Sequence, residues 1–146
     1  MKIATGADHG GYDLKEKIRT FLESMGHEVH DVGCFSTESV DYPVQAADLC
    51  NMVISGSCDR GILVCGTGIG MSMAANRFRG IRAALCNGVF TAEMSRRHND
   101  ANVLCLGARV IGDGLAMEIV RTWAETPFDR GRHSRRICMF DPDHSC

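Results

Sequence analysis

The residues best suited to chemistry in this chain fall into four short groups. They are Asp8-His9, the run Cys65-Gly66-Thr67-Gly68-Ile69-Gly70, His98-Asn99, and the basic stretch Gly131-Arg132-His133-Ser134-Arg135-Arg136. Cys65 ends an apolar run and precedes a glycine loop that opens a helix, whose positive end favours a thiolate; it is a candidate base or nucleophile. The plainer alternative is one more small buried residue, which is how Cys86 and Cys105 read, since no such loop follows them. Gly66, Gly68 and Gly70 leave Thr67 as the polar side chain of a loop whose amides can approach an anion or a developing oxyanion. A tight strand-to-helix turn that needs glycines only for packing is the competing explanation.

Known phosphate loops do not fit. No Gly-Lys-Ser or Gly-Lys-Thr follows, and the Gly-x-Gly-x-Gly spacing lies on a third strand with no acidic residue placed to hold a ribose. His9 follows Asp8 in a loop rather than on an apolar face. His98 ends a helix, where it could interact with the helix dipole alone. Arg109, Arg132 and Arg136 could be solvated charges, yet the stretch from Gly131 to Arg136 concentrates cations in a chain of net charge -2, and a phosphate dianion suits such a cluster.

The elements that must position these groups alternate. Residues 2–7 suit a strand, and Leu14, Ile18, Phe21, Leu22 and Met25 form one helical stripe stopped by Gly26. A strand over 28–32 follows, then a helix opened by Asp41-Tyr42-Pro43 and running to Ser55. Ile62 to Cys65 is a continuous apolar run, as in a strand buried on both faces, and its helix ends at Phe78-Arg79-Gly80. Ile81–Cys86, Thr91–His98, Val103–Leu106 and Asp113–Glu125 read as strand, helix, strand and helix, and the Arg-rich remainder as irregular. This order predicts one α/β domain over 1–146: a three-layer, doubly wound, Rossmann-like parallel sheet of five strands. Ligands of such sheets bind beyond the carboxyl ends of the strands, where Asp8, His9, Tyr42, the Cys65 loop and Arg109 are expected.

With 146 residues, 45% of them hydrophobic, the chain can bury a core of its own. Its net charge gives no bulk attraction to nucleic acid or an anionic membrane, and no apolar run reaches membrane-spanning length. Eight scattered cysteines without a Cys-x-x-Cys pair suit mostly buried free thiols in a reducing cytoplasm, and the spacing offers no metal site.

The chain resembles the type B ribose-5-phosphate isomerases, a family that also contains isomerases of galactose and allose 6-phosphates. The likeness runs through Gly-Ala-Asp-His-Gly-Gly at 6–11, Ser39-Val40-Asp41-Tyr42-Pro43, Cys65 to Gly70, Ala74-Ala75-Asn76, His98-Asn99-Asp100-Ala101-Asn102 and Gly131-Arg132-His133. The resemblance implies interconversion of an aldose and a ketose phosphate through an enediolate, without metal or organic cofactor. It implies Cys65 as the base, a role some relatives give to a Glu where this chain has Met71 and Ser72. By the same resemblance Thr67 and the amides from Gly66 to Gly70 hold the enediolate oxygen. His98, with Asp8 near the sugar, opens the furanose ring; Tyr42 and Asn99 position hydroxyls; His9, Arg109, Arg132 and Arg136 bind the phosphate.

One geometric constraint is independent of the likeness. A helix between parallel strands runs opposite to them, so His98 and the segment after the last helix should lie at the amino edge, away from Cys65. A two-fold homodimer, possibly a dimer of dimers, with composite sites satisfies both this and the family; residues 130–146 form a tail expected to contact the partner subunit. Two departures stand out: Arg130 occupies a place where relatives often have glycine, and the tail after Cys138 is too short and Pro-broken for the extra terminal helix of many relatives. The competing functions are a six-carbon sugar phosphate isomerase, a nucleotide-binding module without chemistry and a redox thiol protein. The module lacks aromatic residues at the loops, and the redox protein lacks a nearby resolving cysteine.

Overall fold

The computed structural model describes residues 1–141. Strands β1 (Lys2–Ala7), β2 (Glu28–Asp31), β3 (Arg60–Cys65), β4 (Ala83–Leu85) and β5 (Val103–Gly107) form one parallel sheet in the order β2-β1-β3-β5-β4. Helices α1 (Tyr12–Ser24), α2 (Tyr42–Ile54), α3 (Ile69–Ala75), α4 (Val89–Asn99) and α5 (Asp113–Glu125) connect or follow them, and α6 (Arg132–Ile137) comes last.

Successive side chains of a strand point to opposite faces, and the core divides accordingly. Ile62 and Val64 of β3, with Leu104 and Leu106 of β5, pack beneath α1, α4 and α5. Leu63 and Cys65, with Val103 and Cys105, pack beneath α2 and α3. The expected three-layer, doubly wound sheet is therefore the observed one. Among the described residues no helix is long and apolar enough to cross a membrane.

Several boundaries differ from expectation. α3 stops at Ala75 because Asn76 bridges straight into β4: its Nδ2 donates to the carbonyls of Ser72 and Ala83, and its Oδ1 accepts from the Ala83 amide. β4 spans three residues rather than Ile81–Cys86, since the Ile81 amide bonds to the Phe78 carbonyl and the Arg82 amide to Asn102 Oδ1 (2.8 Å). The tail, expected to be irregular, contains α6. His133 and Ile137 lie one turn apart there and are both buried, so a short amphipathic turn covers apolar surface that an irregular chain would leave open. Among the described residues six cysteines are free and buried, as most were expected to be, and Cys138 is disulfide-bonded. The reading of the last residues, 142–146, lies outside the described residues.

Lys15 is the fully buried cation of α1. Its ammonium pairs with Asp31 and Glu16, donates to the Cys34 carbonyl (2.9 Å) and sits over the rings of Tyr12 and Phe35. Cys34 in turn donates its amide to the Ala7 carbonyl (2.7 Å), the residue before Asp8. Replacing Lys15 by Met leaves those acceptors without their cation and should lower stability by about 3 kcal/mol in urea unfolding; a loss below about 1 kcal/mol would show the ion pair to be dispensable. Arg130 has a φ of 58°, the left-handed region that favours glycine. Arg130→Gly relieves about 1–2 kcal/mol of strain against about 0.5–1 kcal/mol of added chain entropy, so thermal melting should rise slightly. A fall would contradict the strain.

Candidate active site

At the carboxyl end of β3 the chain turns from Cys65 into α3 within four residues. Cys65 is 5% exposed, and the Gly68 amide donates to its sulfur at 3.1 Å, a hydrogen bond suited to a thiolate. The turn needs glycine at Gly68 twice over: φ is +76°, and a methyl group there would stand 2.5 Å from Leu85 and 2.9 Å from the Leu106 carbonyl carbon. At Gly70 a methyl would stand 2.8 Å from the Tyr42 ring, so this glycine lets Tyr42 lie against the loop. The Thr67 hydroxyl accepts from the Ile69 amide at 3.3 Å and keeps its proton to donate. Because the Gly68 amide is engaged by the sulfur, the amides free to face an anion are those of Gly66, Thr67 and Gly70, which meet no acceptor among the described residues.

Asp8, Gly66 and Arg109 converge around Gly10. A methyl group on Gly10 would lie 3.3 Å from Asp8 Oδ1, 3.4 Å from the Gly66 nitrogen and 3.6 Å from Arg109 Nη2. Asp8 is held by the Gly11 amide (3.1 Å), and the Arg109 amide donates to the Gly66 carbonyl (3.0 Å). The Val40 amide donates to His9 Nδ1 at 3.3 Å, which leaves Nε2 carrying the proton and able to donate to an anion. Six expected positions, Asp8, His9, Tyr42, Cys65, Thr67 and Arg109, thus gather beyond the carboxyl ends of β1, β3 and β5, together with the glycine loop.

His98, Asn99, Arg132 and Arg136 do not join them. The chain leaving α4 reaches the opposite edge, where the Asn102 carbonyl accepts from the amide of Gly61 at the start of β3 (2.9 Å). His98 stacks there on His133 of α6, ring centroids 4.3 Å apart and planes 7° from parallel. Arg132 and Arg136 flank His133 on the same short helix. The expected site residues therefore fall into two groups at opposite edges of the sheet.

Residues without an assigned role in the sequence hold the second group. Arg82 donates to the carbonyls of Asn99 (3.1 Å) and Asp100 (2.9 Å) and pairs with Asp141; Arg96 donates to the Ala101 carbonyl (2.7 Å) and pairs with Asp100 (2.8 Å). Asn102 completes the corner with a bond to the Gly80 carbonyl (2.7 Å). Only Asn102 carried a signal, as part of the His98–Asn102 motif; an arginine that binds carbonyls reads in sequence like any surface charge.

Three further thiols lie deep in the core. Burial pushes Cys50 up to about 12, and burial also raises Cys86 and places Cys105 well above the ordinary thiol range. These three are protonated core residues. Among the described residues no three His, Cys, Asp or Glu side chains gather as a metal site.

Comparison with known proteins identifies the family. The model of the ribose/galactose isomerase family matches residues 3–140. Ribose-5-phosphate isomerase B of Escherichia coli is 48% identical over 136 residues, covering 93% of this chain and 91% of that one. A D-erythrulose-4-phosphate isomerase of Pectobacterium atrosepticum is 42% identical over 138 residues, covering 94% and 91%. The structure of Clostridium thermocellum ribose-5-phosphate isomerase B superposes with a TM-score of 0.96 at 52% identity, covering 97% of this chain and 96% of that one. The chain belongs to the ribose/galactose isomerase family.

Proposed function

We propose that this chain interconverts ribose 5-phosphate and ribulose 5-phosphate, with Cys65 as the base and a site completed by a second copy of the chain. In the first step His98 protonates the ring oxygen as the bond from C1 to that oxygen breaks, and the C1 hydroxyl gives up its proton to Asp8; the open aldehyde results. The Cys65 thiolate then removes the proton from C2. Charge builds on the former aldehyde oxygen, which the Thr67 hydroxyl and the amides of Gly66, Thr67 and Gly70 stabilise; one such donor typically contributes about 3 kcal/mol. The C2 hydroxyl proton passes to the C1 oxygen and the Cys65 thiol returns its proton to C1, which gives the ketose. Tyr42 and Asn99 hold hydroxyls, and His9, Arg109, Arg132 and Arg136 hold the phosphate. These steps draw on side chains and amides alone.

What supports Cys65 as the base is its place: an amide aimed at its sulfur, in a loop with acceptor-free amides, beside Asp8 and Arg109. What supports a homodimer is that the remaining machinery lies at the other edge of the same chain. Ile69 and Met73 of α3, Phe90 at the start of α4 and Val110 after β5 are large apolar side chains left 47%, 66%, 72% and 52% exposed, which a second protomer would cover. Six free thiols among the described residues suit a reducing cytoplasm, although the Cys138 disulfide does not. Since one relative is named for a four-carbon substrate, chain length is the open variable; a coupled assay across four-, five- and six-carbon phosphates should favour ribose 5-phosphate.

Cys65→Ala should lower turnover by at least about 100-fold and abolish exchange of the substrate's carbon-bound proton with solvent, while leaving phosphate competition intact. Normal exchange in that variant would remove Cys65 from the role. Arg132→Ala should instead raise KM about tenfold or more with a smaller change in kcat, measured by steady-state kinetics. A loss confined to kcat would assign Arg132 elsewhere.

A further inference from the structure

His133 of α6 faces the end of α4, 9% exposed, and the isomerisation as derived above gives it no part. Its imidazole lies face to face with that of His98, 4.3 Å away and 7° from parallel. Among the described residues the His98 imidazole makes no hydrogen bond or ion pair. A histidine that must deliver a proton at a fixed point is ordinarily oriented by a carboxylate or carbonyl on its second nitrogen. Here the oriented contact is a ring face, which leaves both His98 nitrogens to the substrate. We propose that His133 is the positioning residue for His98, fixing the plane of its imidazole by stacking so that ring opening proceeds from a pre-set geometry.

The surroundings fit that role. His133 itself is anchored by burial and by the turn of α6, its amide donating to the Arg130 carbonyl at 3.1 Å. The neighbouring Arg97 is tied to Asp129 (3.0 Å) and Glu93 (3.1 Å), which helps to fix the end of α4. Burial, then His98, Arg132 and Arg136, hold the His133 imidazole below its ordinary pKa, against Asp129. An uncharged lower ring can lie against His98 in either protonation state of the latter, whereas two imidazolium rings at this spacing would repel.

This inference rests on His98 as the ring-opening acid, and the experiment separates the two. His133→Phe keeps a flat ring in the buried position; His133→Leu fills it without one. With ribose 5-phosphate, the Leu variant should lose kcat about tenfold with KM within about twofold, and the Phe variant should stay within about threefold of the parent. Ribulose 5-phosphate has no furanose ring, so solvent-deuterium exchange into it should keep the parental rate in both variants. A merely structural role would be met equally by Leu and Phe, so equal kcat in the two overturns the proposal, as does a change carried by KM or an exchange rate that falls with turnover. His98→Ala must itself lose kcat and keep exchange; if it does not, the ring-opening reading falls and the positioning role with it. If it does, while the Leu variant turns over at the parental rate, the positioning role falls alone.

Discussion

In a parallel sheet every connecting helix carries the chain from the carboxyl edge back to the amino edge, and the separation of this protein's chemistry follows from that single constraint. Loops that leave a strand can gather around one crevice, and Asp8, Cys65 and Arg109 do so around Gly10 and Gly66. A residue at the end of a helix cannot. His98 at the end of α4, with α6 packed beside it, is delivered to the edge where β3 begins. The residues expected at the site thus fall into two groups at opposite edges of one sheet, which is why the proposed function calls for a second copy of the chain.

The strand order sharpens where the first group must be. β1 neighbours β2 on one side and β3 on the other, so the loops after β1 and β3 diverge and leave a crevice between them. Asp8 and Cys65 stand at its two lips. The loop between β3 and α3 uses its glycines for separate purposes: Gly68 turns the chain and gives its amide to the sulfur, while Gly70 admits the Tyr42 ring. One turn thus gives one amide to the sulfur and leaves its neighbours without an acceptor among the described residues.

The alternation of elements was legible because buried strands and amphipathic helices have different periods, and α5 keeps the boundaries its apolar stripe implies. Boundaries failed where side chains, not periodicity, end an element. Asn76 and Asn102 terminate α3 and delay β4 through bonds to carbonyls and amides that no hydrophobic pattern encodes. α6 escaped because six residues with two buried positions carry too little pattern to distinguish from loop. For the site, residues that act through their own loop were readable from type and spacing. Those that act by holding another group were not: Arg82 and Arg96 bind backbone carbonyls, and His133 offers a ring face, none of which leaves a trace in spacing. The departure at Arg130 was visible as a residue type, but its backbone conformation was not.

The central claim is that Cys65 of one protomer works with His98 of another. It is tested most directly by mixing two purified variants, Cys65→Ala and His98→Ala, under conditions that let subunits exchange, and measuring turnover of ribose 5-phosphate. Composite sites predict that each mixed dimer contains one site with both groups intact, so activity should rise from near nothing to about a quarter of the parental value. A mixture no more active than its two components, with exchange verified, would mean that Cys65 and His98 serve the same site from one chain, and would contradict the account.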